Sequence, residues 1–222
     1  MTHAREITAR RPIVTGLLLV ALPLAWAVLL LFHPNSDAAP FEGIRGVVDR
    51  WLFVHVGQLV LTPLLVFAVW RLLDGLEFRA AKVSRAAAVV WAAFFTAYDS
   101  IQGIATGVLI RYADADLAGA EQAGVARALD YLVSDSQLAG NISAIGLIAN
   151  AAWITVAIGG AVALSKAGAG KGAVIAMSLS SLFVIHTAPA GVGLVALAVA
   201  GVLSQGRRSD PGRIPKSALA SP

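Results

Sequence analysis

The sequence predicts an all-α membrane protein, a polytopic bundle of six transmembrane helices with a surface helix in a long outer loop. Three observations predict it. Of the 222 residues, 58% are hydrophobic and only 14% are charged, where a soluble domain is about a quarter charged. Several apolar runs reach the ~20 residues that a helix needs to cross a ~30 Å hydrocarbon layer. Finally, Lys and Arg collect on alternate loops, the asymmetry that orients membrane helices. A pI near 9.9 would point to nucleic acid in a soluble chain. Sorted by loop, the same charge is a topology signal, so the expected partner is the lipid bilayer and no nucleic acid is expected.

Taken in order, residues 1–12 form a cytoplasmic leader with Arg5, Arg10 and Arg11. Residues 13–32 are the first span, apolar for longer than the 7–15 residues of a signal-peptide core. A bend is expected at Pro23, because proline removes a backbone donor. Residues 51–70 are the second span, and Trp51 and Trp70 fall where interfacial tryptophans belong. A basic loop with Arg71, Arg79, Lys82 and Arg85 leads to the third span, 86–110.

Residues 111–140 are the longest polar segment, and Val125, Leu129, Leu132 and Val133 recur within it at i, i+4, i+7 and i+8. That period predicts a helix lying on the membrane surface. The fourth span is 142–164, and a glycine-rich turn holding Lys166 and Lys171 follows. The apolar stretch 173–203 would make a helix of roughly 46 Å, too long for one crossing. It divides into two short spans, 173–185 and 189–203. The alternative is a re-entrant hairpin with His186 near its tip. Residues 204–222 form a polar cytoplasmic tail, expected to be disordered.

Six crossings with the amino terminus inside place 13 of the 17 Lys and Arg residues on the cytoplasmic side. The outer side keeps Arg45, Arg50, Arg111 and Arg127. This asymmetry predicts a multi-pass protein of the cell membrane with both termini cytoplasmic. The domain is then a single unit over 13–203.

The functional reading starts from Asp99, near the middle of the third span. A charge at that depth costs roughly 2.5–3.5 kcal/mol on insertion scales, so it must turn inward and find partners. At 1.5 Å per residue Asp99, Asn150 and Gln58 fall at similar depth on three different helices. His55, Gln58 and Thr62 share one helix face at i, i+3 and i+7; Thr96, Asp99, Gly103 and Thr106 share another. Polar faces of this kind point at each other rather than at lipid. The expected site is an outward-facing polar core lined by Asp99, His55, Gln58 and Asn150. It would bind or move a small ligand or a proton, without enzymatic chemistry. Asp99 beside His55 would be the proton-carrying pair.

Two alternatives come from other residues. His33, His55 and His186 lie on three segments, and with Asp99 they make a donor set suited to zinc, or in pairs to haem iron, in a metal-dependent membrane enzyme. No HxxxH or HExxH spacing accompanies them. The other alternative is a structural or partner subunit whose polar residues only lock helices together. The chain has no cysteine, which excludes disulfides, a thiolate nucleophile and cysteine-ligated iron–sulfur clusters. The run from Ser165 to Gly172 resembles a phosphate loop but lacks the GxxxxGK[ST] spacing. Gly103 and Gly107 form a GxxxG, suited to close helix packing within the bundle or to a homo-oligomer.

Overall fold

The computed structural model describes residues 15–34, 39–134, 143–184 and 188–208. The described residues form helices joined by short turns, with no strand among them. We number the helices α1 (Leu17–Leu31), α2 (Pro40–Leu72), α3 (Arg79–Asp116), α4 (Gly119–Ser134), α5 (Ala144–Lys166), α6 (Lys171–Val184) and α7 (Ala188–Arg208). Three of them, α2, α3 and α5, are long and apolar enough to cross a membrane. The helices α1 and α6 are apolar but shorter, as is the Ala190–Gln205 stretch of α7.

The long helices run further than the sequence suggested. The expected second span, 51–70, begins at Pro40 and ends at Leu72, with a 3₁₀ turn at Arg45–Val47. The expected third span, 86–110, is part of a helix from Arg79 to Asp116, extended by alanine-rich and arginine-bearing ends that favour helix on either side of the apolar core. The described part of the expected first span, 15–32, is helical through Leu31, and residues 13–14 lie outside the described residues. A π-helical turn occupies Leu17–Ala21, and Pro23, which has no N–H to give, follows directly on it at the start of the α-helical segment. The surface helix predicted over the long polar loop is α4, and Leu129 is the residue it buries. The tail expected to be disordered from 204 continues the α7 helix to Arg208. Residues 1–12, the Asn141–Ile142 junction, His186 and the tail beyond 208 lie outside the described residues.

Close contacts fix how the helices run. Ser84 Oγ donates to the Val156 carbonyl at 2.8 Å, and Gly159 packs on Ala80 and Ser84. Near the other end Gly146 packs on Tyr98. Helices α3 and α5 are therefore antiparallel. Gly160 meets Met177, Gly172 meets Leu203, and Gly201 meets the Leu19 backbone, so α6, α7 and α1 continue the up-and-down order. One end of the bundle gathers Arg71, Arg79, Lys82, Lys166 and Lys171. The other carries the start of α2, the end of α3, and α4.

An aromatic cluster sits within the aliphatic core. Trp26, Trp91, Phe95, Trp153 and Phe183 pack ring against ring at centroid distances of 4.7–6.4 Å. The Trp153 indole N–H is satisfied by the Ser180 carbonyl at 2.8 Å. A second, smaller cluster of Phe41, Ile44, Ile110, Ala113 and Leu129 joins the start of α2, the end of α3 and α4 into a cap. Large apolar side chains also cover the outside of the bundle. His55 and Gln58 are at most 2% exposed while Phe53 on the same helix is 64% exposed. Apolar residues outside and polar residues inside suit a lipid surround.

Candidate functional site

The site lies beneath the cap, where α2 crosses α3. A 2.7 Å hydrogen bond joins His55 Nδ1 on α2 to Asp99 Oδ1 on α3, and both side chains are buried. Two sequence features let the helices come this close. Gly103, one turn past Asp99, leaves the space that the His55 ring fills; a methyl group there would collide with the imidazole. Gly107 does the same for Leu52 and Trp51. The GxxxG face is therefore occupied by α2 of the same chain.

Immediately after Asp99, Ser100–Ala105 is a π-helical turn. Such turns widen the helix, alter its backbone hydrogen bonds, and recur at functional sites. Here side chains serve two carbonyls of the turn. Trp51 Nε1 donates to Gly103 O at 2.7 Å, and Thr106 Oγ1 donates to Ile101 O at 3.2 Å.

The pair is walled by rings. Trp51 lies 4.4 Å from the His55 ring, and His33, just past the end of α1, lies 5.1 Å from Trp51 and 5.2 Å from His55. His33 stands outside the apolar helices, and burial, reinforced by the neighbouring His55, lowers its pKa to about 4. Two of the three candidate metal-binding histidines thus meet beside Asp99, and the third, His186, lies outside the described residues. Among the described residues no group of three or more His, Asp or Glu side chains is placed to hold a metal ion.

Gln58 follows His55 by one turn on the same face of α2 and is fully buried. Its backbone carbonyl accepts from Thr62 Oγ1 at 2.8 Å, but neither side-chain polar atom has a hydrogen-bond partner. The same holds for Asp99 Oδ2 and for Gln102 Oε1. Leaving a buried polar atom unsatisfied costs ~1–3 kcal/mol, and these four atoms belong to residues within about two helical turns of the His55–Asp99 contact. Asn150 is half-buried on α5, one turn from Gly146, on the face that meets Tyr98. No hydrogen bond joins it to Asp99.

Trp51, Gln102 and Tyr98 belong to the site and were not among the residues singled out from the sequence. Trp51 precedes His55 by four residues and Gln102 follows Asp99 by three, so helical spacing could have found both. Tyr98, joined to Gln102 by a side-chain hydrogen bond, carries no such signal. No protein-family model matches the chain, and no curated protein or solved structure is significantly similar to it, so its own geometry carries the functional reading.

Proposed function

We propose that this chain is a multi-pass protein of the cell membrane. It crosses six times with both termini cytoplasmic, and it binds or moves a proton, or a small ligand with it, at the His55–Asp99 pair. The carrying observation is that pair: a carboxyl and an imidazole 2.7 Å apart, both buried, inside a bundle whose exposed surface is apolar. An intramembrane carboxylate of this kind is expensive, and the usual return is an ion or proton pathway. The pair can hold or release one proton as a unit. His33 and Trp51 face it from α1 and α2, and Tyr98 and Gln102 lie beside Asp99 on α3. Gln58 and Asn150 extend the polar lining away from the cap. The two glutamines and Asn150 carry no titrating group, so the proton is held by the pair.

The test is an infrared pH titration of the reconstituted protein. A buried carboxyl band that titrates in the wild type and vanishes in Asp99→Asn, with expression intact, is the expected result. It should be accompanied by proton flux into liposomes containing an entrapped pH dye, lost in the same variant. If no carboxyl titrates and Asp99→Asn lowers only thermal stability, the pair is a lock between α2 and α3 and the reading fails.

A further inference from the structure

We infer that the ligand of this site is a small ammonium ion, of the size of ammonium or methylammonium. The inference rests on the reading of His55 and Asp99 as a binding site and adds the chemistry of what binds.

Four observations carry it. The first is the balance of donors and acceptors. On Asp99 and the two glutamines, the buried side-chain atoms without partners are Asp99 Oδ2, Gln58 Oε1, Gln102 Oε1 and Gln58 Nε2, three of them acceptors. A solute that satisfies them must be rich in N–H or O–H groups. The second is charge. Asp99 is the one buried carboxyl among the described residues, and no Lys or Arg is buried with it. An anion would meet no fixed positive charge there, whereas a cation meets a carboxylate.

Coordination number is the third. Metal cations of hard character collect about six or more oxygen ligands. Two of the π-turn carbonyls already accept a side-chain hydrogen bond, Gly103 O from Trp51 and Ile101 O from Thr106. Three side-chain acceptors match the three N–H groups of methylammonium and are about half of what a hard metal cation collects. Last, the Trp51 ring stands against His55, and an indole face is the best aromatic partner for such a cation. The cap of Phe41, Ile44, Ile110, Ala113 and Leu129 closes the site from the loop side, which favours a solute of few atoms.

The experiment is the thermal unfolding midpoint of the detergent-purified full chain at fixed pH and ionic strength. Chloride salts of ammonium, methylammonium, sodium, potassium and N-methylglucamine are compared. Ammonium and methylammonium should raise the midpoint in a saturable way, and the other three should not. Gln58→Leu, which removes one hydrogen bond to a charged ligand, should shift the half-saturating concentration upward by about tenfold. Asp99→Asn should abolish the response. Should that variant fail to fold, uptake of radiolabelled methylammonium into liposomes by the wild type and Gln58→Leu decides the matter. Equal stabilisation by sodium or potassium would show that charge alone is read, and overturns the ammonium class. No response to any salt overturns it as well. In either case a titrating carboxyl band in the infrared leaves the proton site standing, and its absence removes both.

Discussion

At the scale of single residues, Gly103 carries as much of the site as Asp99 does. Its backbone needs no unusual φ; what it provides is room. Gly103→Ala places a methyl group in the His55 ring, and overpacking of this kind costs ~1–3 kcal/mol. The variant should lose thermal stability and, with His55 displaced, the proton response too. Gly124→Ala on α4 is the control. Nothing lies within 4 Å of a methyl group there, and replacing a helical glycine by alanine gains up to ~1 kcal/mol. Equal midpoints for the two variants would refute the packing account.

His33 makes a second prediction. A histidine whose folded pKa is depressed contributes stability that is complete above its unfolded pKa and is lost as the pH falls. The midpoint should therefore decline from pH 6.5 to about 4, the interval between the two values. His33→Phe, which keeps a ring against Trp51, should remove that part of the decline; an unchanged profile would show that the ring is not held neutral by its surroundings. Asp99, His55 and Gln58 were legible in the sequence because a polar residue inside an apolar run has few places to go. Trp51 was not, because a tryptophan at the start of a span reads as an interfacial anchor. The structure uses it as a wall of the site and a donor to the π-turn.

Helix contacts are made by small residues, and what each one meets sets its tolerance. Gly193 meets the backbone at Leu182 and Phe183, and Gly201 meets the Leu19 carbonyl oxygen at 2.8 Å. Gly57 and Gly160 meet only the flexible ends of Leu29 and Met177. Backbone cannot step aside, whereas a leucine or methionine tip can change rotamer. Alanine at 193 or 201 should thus lower the midpoint more than alanine at 57 or 160, and the reverse order in a thermal series would show that these crossings are looser than described. The cores of the spans were legible from apolar runs alone. Their ends were not, since the fall in hydropathy at Arg79, Lys82 and Arg111 marks where the apolar region stops and the helix continues past it. The π-turn after Asp99 was equally silent, because it depends on Trp51 and Thr106 donating to its carbonyls.

For the molecule as a whole, the number of helices that cross decides which side the site faces. Three are long enough by length and composition. At 1.5 Å per residue the described 15 residues of α1 span about 22 Å of a ~30 Å layer. The proposed six crossings follow from where the loops lie. The start of α1, the end of α7 and the basic α5–α6 turn share the end of the bundle that carries Arg79 and Lys82, so every loop alternates in step with its charge. The absence of native cysteine makes the test direct. Single cysteines at position 8, Tyr131, Ala167 and Ala188 are probed on intact cells with a membrane-impermeant maleimide. Six crossings expose Tyr131→Cys and Ala188→Cys to the reagent and shield position 8 and Ala167→Cys until the membrane is opened. If only α2, α3 and α5 cross, position 8 is labelled from outside and Ala188→Cys is not. A re-entrant α6–α7 hairpin shields Ala188→Cys while leaving position 8 inside. Each outcome puts the His55–Asp99 pair at the same distance from the cap, but only an α1 that crosses makes His33 and Trp51 an outer wall between that pair and the medium.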